Sequence, residues 1–170
     1  ARFEAMFDAR FGQGTGKDLL AAWKLASQMP LRFASFHQGT WDGSLYTEGF
    51  SSWTDRDNAP RKLFDIDSFI KHSVLDTKRY VNIADFVKAS GSVERGRLSP
   101  LALAEQLDRD VAAALKGVAA VRARSKPSPT LDCELTDIEA WCAYGAYFAE
   151  KLRGGVALAD ARATKDVKKQ

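Results

Sequence analysis

Five side chains suited to ligand contact fall close together in this chain: His37, Trp41, Asp42, Tyr46 and Glu48. They belong to the stretch Phe36 to Trp53, FHQGTWDGSLYTEGFSSW, which is rich in aromatics, glycines and hydroxyls. Asp42 and Glu48 are two carboxylates flanked by rings. Sugar-processing sites use such a set: an acid and a base stand ~5–9.5 Å apart, and rings stack on the apolar faces of pyranose units. The same residues also admit a purely structural reading. Rings in a loop between helices anchor it to the core, and Asp42 and Glu48 suit turn and cap hydrogen bonds.

Other groups carry less. Gly12-x-Gly14-x-Gly16-Lys17 invites a phosphate-loop reading that fails on spacing. That loop needs Gly-x-x-x-x-Gly-Lys-Ser/Thr after a strand, whereas here Phe11 stands five before Gly16, Asp18 follows Lys17, and a helical pattern precedes. The glycines read instead as a helix C-cap and connector. His72, within SFIKHSVLD, reads as a helix residue that is hydrogen-bonded and partly buried, or simply exposed. Cys133 and Cys142 fall on one expected helix, about 13 Å apart at ~1.5 Å per residue, beyond the ~7 Å a disulfide spans. Both read as free, mostly buried thiols. No His/Cys/Asp/Glu cluster has zinc spacing, no Gly-x-Ser-x-Gly elbow appears, and no cofactor is implied. Asp108, Arg109 and Asp110, and later Glu150, Lys151 and Arg153, read as solvated faces or helix-pairing ion pairs, worth ~0–1 kcal/mol each.

The elements that must position these residues are helical. The chain has 170 residues, 45% apolar, and a net charge of +3. That is the size of one compact domain, able to bury roughly 70% of its unfolded surface without a disulfide or metal. The charge gathers in a basic tail (Arg162, Lys165, Lys168, Lys169) with no stripe of Lys and Arg along an element, so nucleic acid is not an expected partner. No apolar run approaches the roughly 20 residues of a membrane span. No charged-then-apolar leader opens this segment, so no signal peptide is read and a soluble protein is expected. The start at Ala1 without methionine and the polar ending LADARATKDVKKQ predict a piece of a longer or processed protein, and leave the compartment open.

Apolar periodicity predicts helices over Arg2–Phe11, Lys17–Met29, Phe64–Leu75 and Asn82–Ala89. Pro30 should end or kink the second, with 31–37 either helical or extended beyond it. Asp65 or Asp67 should cap the third. Asp55–Arg61 reads as a polar turn, and Gly91–Gly96 as a loop. Ser99 as N-cap with Pro100 at N1 opens a longer helix to about Arg124, with Leu103, Leu107, Val111, Leu115 and Val118 inward. After Lys126-Pro-Ser-Pro129, a last helix should run from Leu131 to Thr164. Its seam of Leu131, Leu135, Ile138, Cys142, Gly145, Ala149, Leu152, Val156 and Ala159 steps by three and four. Gly145 and Ala149 would admit a close neighbour. The two long helices should form an antiparallel hairpin. Any sheet should be a short hairpin inside 36–53, where glycines costing ~1 kcal/mol each break the helical pattern. The expected fold is all-α: one irregular helical bundle over residues 1–170, with the long C-terminal hairpin and one ordered aromatic, glycine-rich loop.

Three stretches together resemble a known family: RFEAMFDARFGQGTG followed by LLAAWKLAS, then SFHQGTWDGSLYTEGF, then DIEAWCAYGAYFAEKLRGGVALADAR. They resemble the helical region downstream of the catalytic barrel in large bacterial α-glucuronidase-like carbohydrate-active proteins. The resemblance implies a helical module excised from, or evolved beside, a glycan-degrading enzyme. In such enzymes the acid and base sit on barrel strands, and this chain has no barrel pattern, so no catalytic residue is carried over. Helical regions of this kind can form dimers or lend loops to the rim of the barrel's cleft. A glycan, a catalytic barrel of the same chain, or a second copy through the long helices are the partners implied.

Three functions follow from these readings. One is an accessory or substrate-rim module of a glycoside hydrolase, acting through the aromatic segment. Another is a self-contained helical interaction domain with that segment as core. The third is a small enzyme using His37, Asp42 and Glu48.

Overall fold

A computed structural model of the chain describes residues 2–36, 51–52, 62–63, 66–126 and 128–167. The fold is all-α. Its helices are α1 (Arg2–Phe11), α2 (Gly16–Ala26), α3 (Gln28–Phe36), α4 (Ile66–Lys71), α5 (Ile83–Lys88), α6 (Pro100–Arg124) and α7 (Pro129–Val167). Strands β1 (Ser51–Ser52) and β2 (Lys62–Leu63) pair antiparallel, with Ser51 opposite Leu63 and Ser52 opposite Lys62. The ladder therefore does not stay within 36–53, as the sequence suggested. Its second strand follows the polar stretch 55–61, which lies outside the described residues.

Local chemistry sets the boundaries. Gly12, at φ 113°, ends α1 and returns its N–H to the Asp8 carbonyl at 3.0 Å. Its positive φ costs a glycine nothing. The expected break at Pro30 comes earlier, at Ser27, and Pro30 sits in the first turn of α3. The first four N–H groups of a helix have no partner within it, so a proline there forfeits no bond. Helix then continues to Phe36, which settles for 31–36 the choice between helix and extended chain; residue 37 lies outside the described residues.

Helix α4 is shorter than its pattern, stopping at Lys71 instead of Leu75. His72 Nδ1 takes the Phe69 carbonyl at 2.7 Å, and downstream the Asp76 N–H reaches the Ser35 carbonyl at 3.0 Å. These bonds draw the chain off the helix axis. Asp65 lies outside the described residues, and Asp67, inside the first turn, pairs with Arg162. Asn82 caps α5 by accepting the Asp85 N–H at 2.7 Å, and Ser99 Oγ caps α6 through the Ala102 N–H at 3.0 Å. Each such cap contributes roughly 1 kcal/mol. Residues 91–96 lead back to a bridge between Tyr80 and Leu98, held by the Leu98 N–H to the Arg79 carbonyl at 2.7 Å.

The backbone gathers into two compact units, each built from two stretches of chain. One comprises 1–30 with 105–147, the other 31–104 with 148–170. In the first, Phe11, Leu19, Ala22 and Ala26 join Ala114, Val118 and Val121 of α6 and Leu131, Leu135, Ile138 and Cys142 of α7. The two long helices thus pack against each other as an antiparallel hairpin, with Arg122 forked onto Glu139 at 2.8 and 3.0 Å. Gly145 gives the close approach its size allows: a β-carbon there would stand 2.7 Å from Met29 Sδ and 3.2 Å from a Val111 methyl.

Two expected burials fail here. Leu115 is 41% exposed because the inward stripe runs Val111, Ala114, Val118, and Leu115 lies about 100° round the helix from Ala114. Cys133 is exposed while Cys142 is buried. Nine residues along a helix turn the second thiol to the far side from the first.

The second unit centres on rings. Phe33, Phe36, Phe69, Tyr80 and Phe148 are buried, joined by Ile83, Leu103 and Leu152. Gly155 lets α7 settle on them, since a β-carbon there would meet Ile83 Cδ1 at 2.8 Å. Val156 and Ala159, the last seam positions, are only half-buried.

Candidate functional site

All five residues singled out from the sequence, His37, Trp41, Asp42, Tyr46 and Glu48, lie outside the described residues. What the structure describes is the root from which that segment departs. Phe36, the last residue of α3, is fully buried. Its ring meets Phe148 at 5.8 Å, Phe69 at 6.0 Å and Tyr80 at 6.1 Å between centroids, two of them edge-on. Phe33 packs edge-on against Phe148 at 4.9 Å. Such ring pairs add ~0.5–1.5 kcal/mol each beyond area burial. The spacing of Phe33 and Phe36, one helical turn apart, puts both on one face of α3.

His72 closes this cluster. Its ring lies 5.6 Å from Phe69 and 5.8 Å from Phe36. Nδ1 faces the Phe69 carbonyl at 2.7 Å and Nε2 the Phe36 carbonyl at 3.3 Å. Burial pushes its pKa below the ordinary histidine value, outweighing the backbone carbonyls of Phe69, Phe36 and Ser68 that favour the cation, while Lys151 adds a small push downward. A neutral imidazole donates one proton, and the shorter contact assigns it to Nδ1. Nδ1–H donates to the Phe69 carbonyl of α4, and the ring packs edge-on against Phe36 at the end of α3, so His72 ties the two helices by one hydrogen bond and one ring contact. This is the hydrogen-bonded, partly buried alternative of the sequence reading.

Lys151 corrects an expectation. The sequence put it on a solvated face or in a helix-pairing ion pair, but its Nζ lies 5.0 Å from the centre of the Phe69 ring, and burial lowers its pKa. The available signal was its spacing: Lys151 follows Phe148 by three residues, and i,i+3 positions share a helix face. Burial also raises the pKa of the Tyr80 hydroxyl and of the Cys142 thiol. Cys142 therefore stays protonated and chemically inert at neutral pH. Among the described residues no three His, Cys, Asp or Glu side chains gather as a metal site, and no helix is long and apolar enough to cross a membrane.

The glycine-rich connector between α1 and α2 is likewise structural. Asp8 Oδ1 accepts the Gly16 N–H at 2.7 Å, and Thr15 Oγ1 donates to the Gly12 carbonyl at 2.7 Å. A carboxylate of the chain itself thus fills the N-terminus of α2, where an anion would otherwise be favoured. The C-cap and connector expected from the sequence is what the structure contains.

Comparison with protein-family models, with curated proteins and with solved structures gave no match.

Proposed function

We propose that this chain is the helical accessory module of a bacterial carbohydrate-active, glycoside hydrolase-like protein, and that it presents the segment Phe36–Trp53 as a rim that contacts glycan. The reading draws its chemistry from the rings and carboxylates of that segment and from the family resemblance of the sequence. The observation that carries it is the burial of Phe36 among Phe69, Tyr80 and Phe148, with the His72 ring packed edge-on against it. A contact segment needs a fixed root so that binding does not have to order its base as well. Titrating neutral and acidic oligosaccharides against the intrinsic tryptophan fluorescence tests it: a saturable shift supports the proposal, and a flat response to both classes opposes it.

A second reading is a helical interaction domain that pairs with another copy of itself. It draws on exposed apolar side chains of the first unit: Phe3 at 62% and Met6 at 56% one turn apart on α1, and Trp141 at 36% on α7. Sedimentation equilibrium distinguishes it, by a mass that doubles with concentration.

A further inference from the structure

Within the second unit, α4, α5 and the end of α7 enclose a groove of about 370 Å³. Ile70, Val87 and Ala159 give it an apolar floor, and Lys71, Lys88 and Arg162 stand along its margin. Lys71 and Lys88 are exposed, on separate helices. The carboxylate that meets this margin is Asp67, already engaged by Arg162. The groove thus joins an apolar trough to two ammonium groups with no acidic partner among the described residues.

We propose that this groove docks an acidic amphipathic helix of a partner protein, one that seats apolar side chains on the floor and faces its carboxylates to Lys71 and Lys88. The charge pattern selects the occupant. A basic partner would meet like charges along the margin, which costs affinity and slows association, whereas an acidic one is steered in. The mode follows from the walls, which are helices, so that an apolar face with anchors at helical spacing fits and an added strand finds no edge to pair with.

The test uses the whole chain and two labelled peptides of about 18 residues, with leucines at i, i+3, i+4 and i+7. One carries glutamates at the remaining positions, the other lysines. The glutamate peptide should bind, weaken as salt rises through the screening range, and shift the methyl resonances of Ala84, Val87, Ala159 and Ala163. Lys71→Glu with Lys88→Glu should weaken it by about tenfold or more and favour the lysine peptide instead. Both substitutions are at exposed positions, and an unchanged melting temperature would show that the fold survives.

Equal binding of both peptides, or no binding of the glutamate peptide, would overturn the proposal. So would salt-sensitive flotation with phosphatidylglycerol vesicles, or self-association in sedimentation, if the double variant abolished it; either would give the groove to a membrane or to a second copy.

Discussion

The carboxylate of Asp8 accepts the backbone N–H of Gly16 at 2.7 Å, so a residue of α1 caps the first turn of α2. The bond is possible because Gly16 has no side chain. A β-carbon there would overlap the Glu4 carbonyl oxygen and stand 2.9 Å from Asp8 Oδ1. Backbone on one side and a cap on the other leave no room to yield.

Gly16→Ala should therefore destabilise the chain by about 1–3 kcal/mol, the cost of forcing extra volume into a filled site. Asp8→Ala should cost about 1 kcal/mol by loss of the cap. Urea unfolding of the two variants checks both, and an unchanged midpoint for Gly16→Ala would contradict the close crossing of α1 and α2.

Leu107 and Leu115 lie on the same helix and should separate cleanly. Leu107 is fully buried while Leu115 is 41% exposed. Leu107→Ala should cost roughly 2–5 kcal/mol, as truncations of buried leucine do, and Leu115→Ala within about 0.5 kcal/mol, as at surface positions. Equal losses at both positions would mean that the inward stripe of α6 is wrongly drawn.

His72 predicts a pH dependence with a definite sign. Its folded pKa lies below the ordinary value of 6.5, chiefly through burial. Between the folded and unfolded values the unfolded chain binds more protons, so acid favours unfolding. Stability from this group is whole above the unfolded value and falls as pH drops below it, until the folded pKa is reached. In His72→Gln the melting temperature should fall less between pH 7.5 and pH 5.5 than in the parent. A parallel decline in both proteins would remove His72 as the cause.

The two thiols should differ in reactivity. Cys133 is exposed, while Cys142 is buried with its pKa raised by that burial. A thiol-specific chromophore should label Cys133 in the native protein and reach Cys142 only on unfolding, because the thiolate is the reactive species. Prompt labelling of both would contradict the seam of α7.

Much of the fold was legible in the residues. Ser99-Pro100 fixed the start of α6 because a hydroxyl cap and a proline each act locally, and α1 ended where three glycines stood. The α7 seam was legible as well, since it repeats over many turns. The departures share a cause, which is that tertiary bonds overrode local pattern. Helix α4 stops short because the His72 ring and the Ser35 carbonyl capture the chain beyond Lys71. Pro30, read as a stop or a kink, instead falls where a proline costs nothing, a register that depends on where Ser27 breaks the chain. Lys151 reads from the sequence as a solvated or ion-paired charge because composition does not reveal that Phe69, some eighty residues earlier, lies beneath it. The rings and carboxylates of the candidate segment are evident as chemistry and lie outside the described residues, while His72 gained its role from a backbone carbonyl and a ring contact that no side-chain pattern encodes.

The central claim is that an anchored aromatic segment contacts glycan, and Trp41→Ala tests it most directly when melting and fluorescence titration are measured on the same variant. The account predicts a melting temperature within a few degrees of the parent and a clear loss of the oligosaccharide response. A loss of about 3–5 kcal/mol, the usual cost of removing a buried aromatic, with no response to oligosaccharide in the parent protein, would contradict it and leave Trp41 as core.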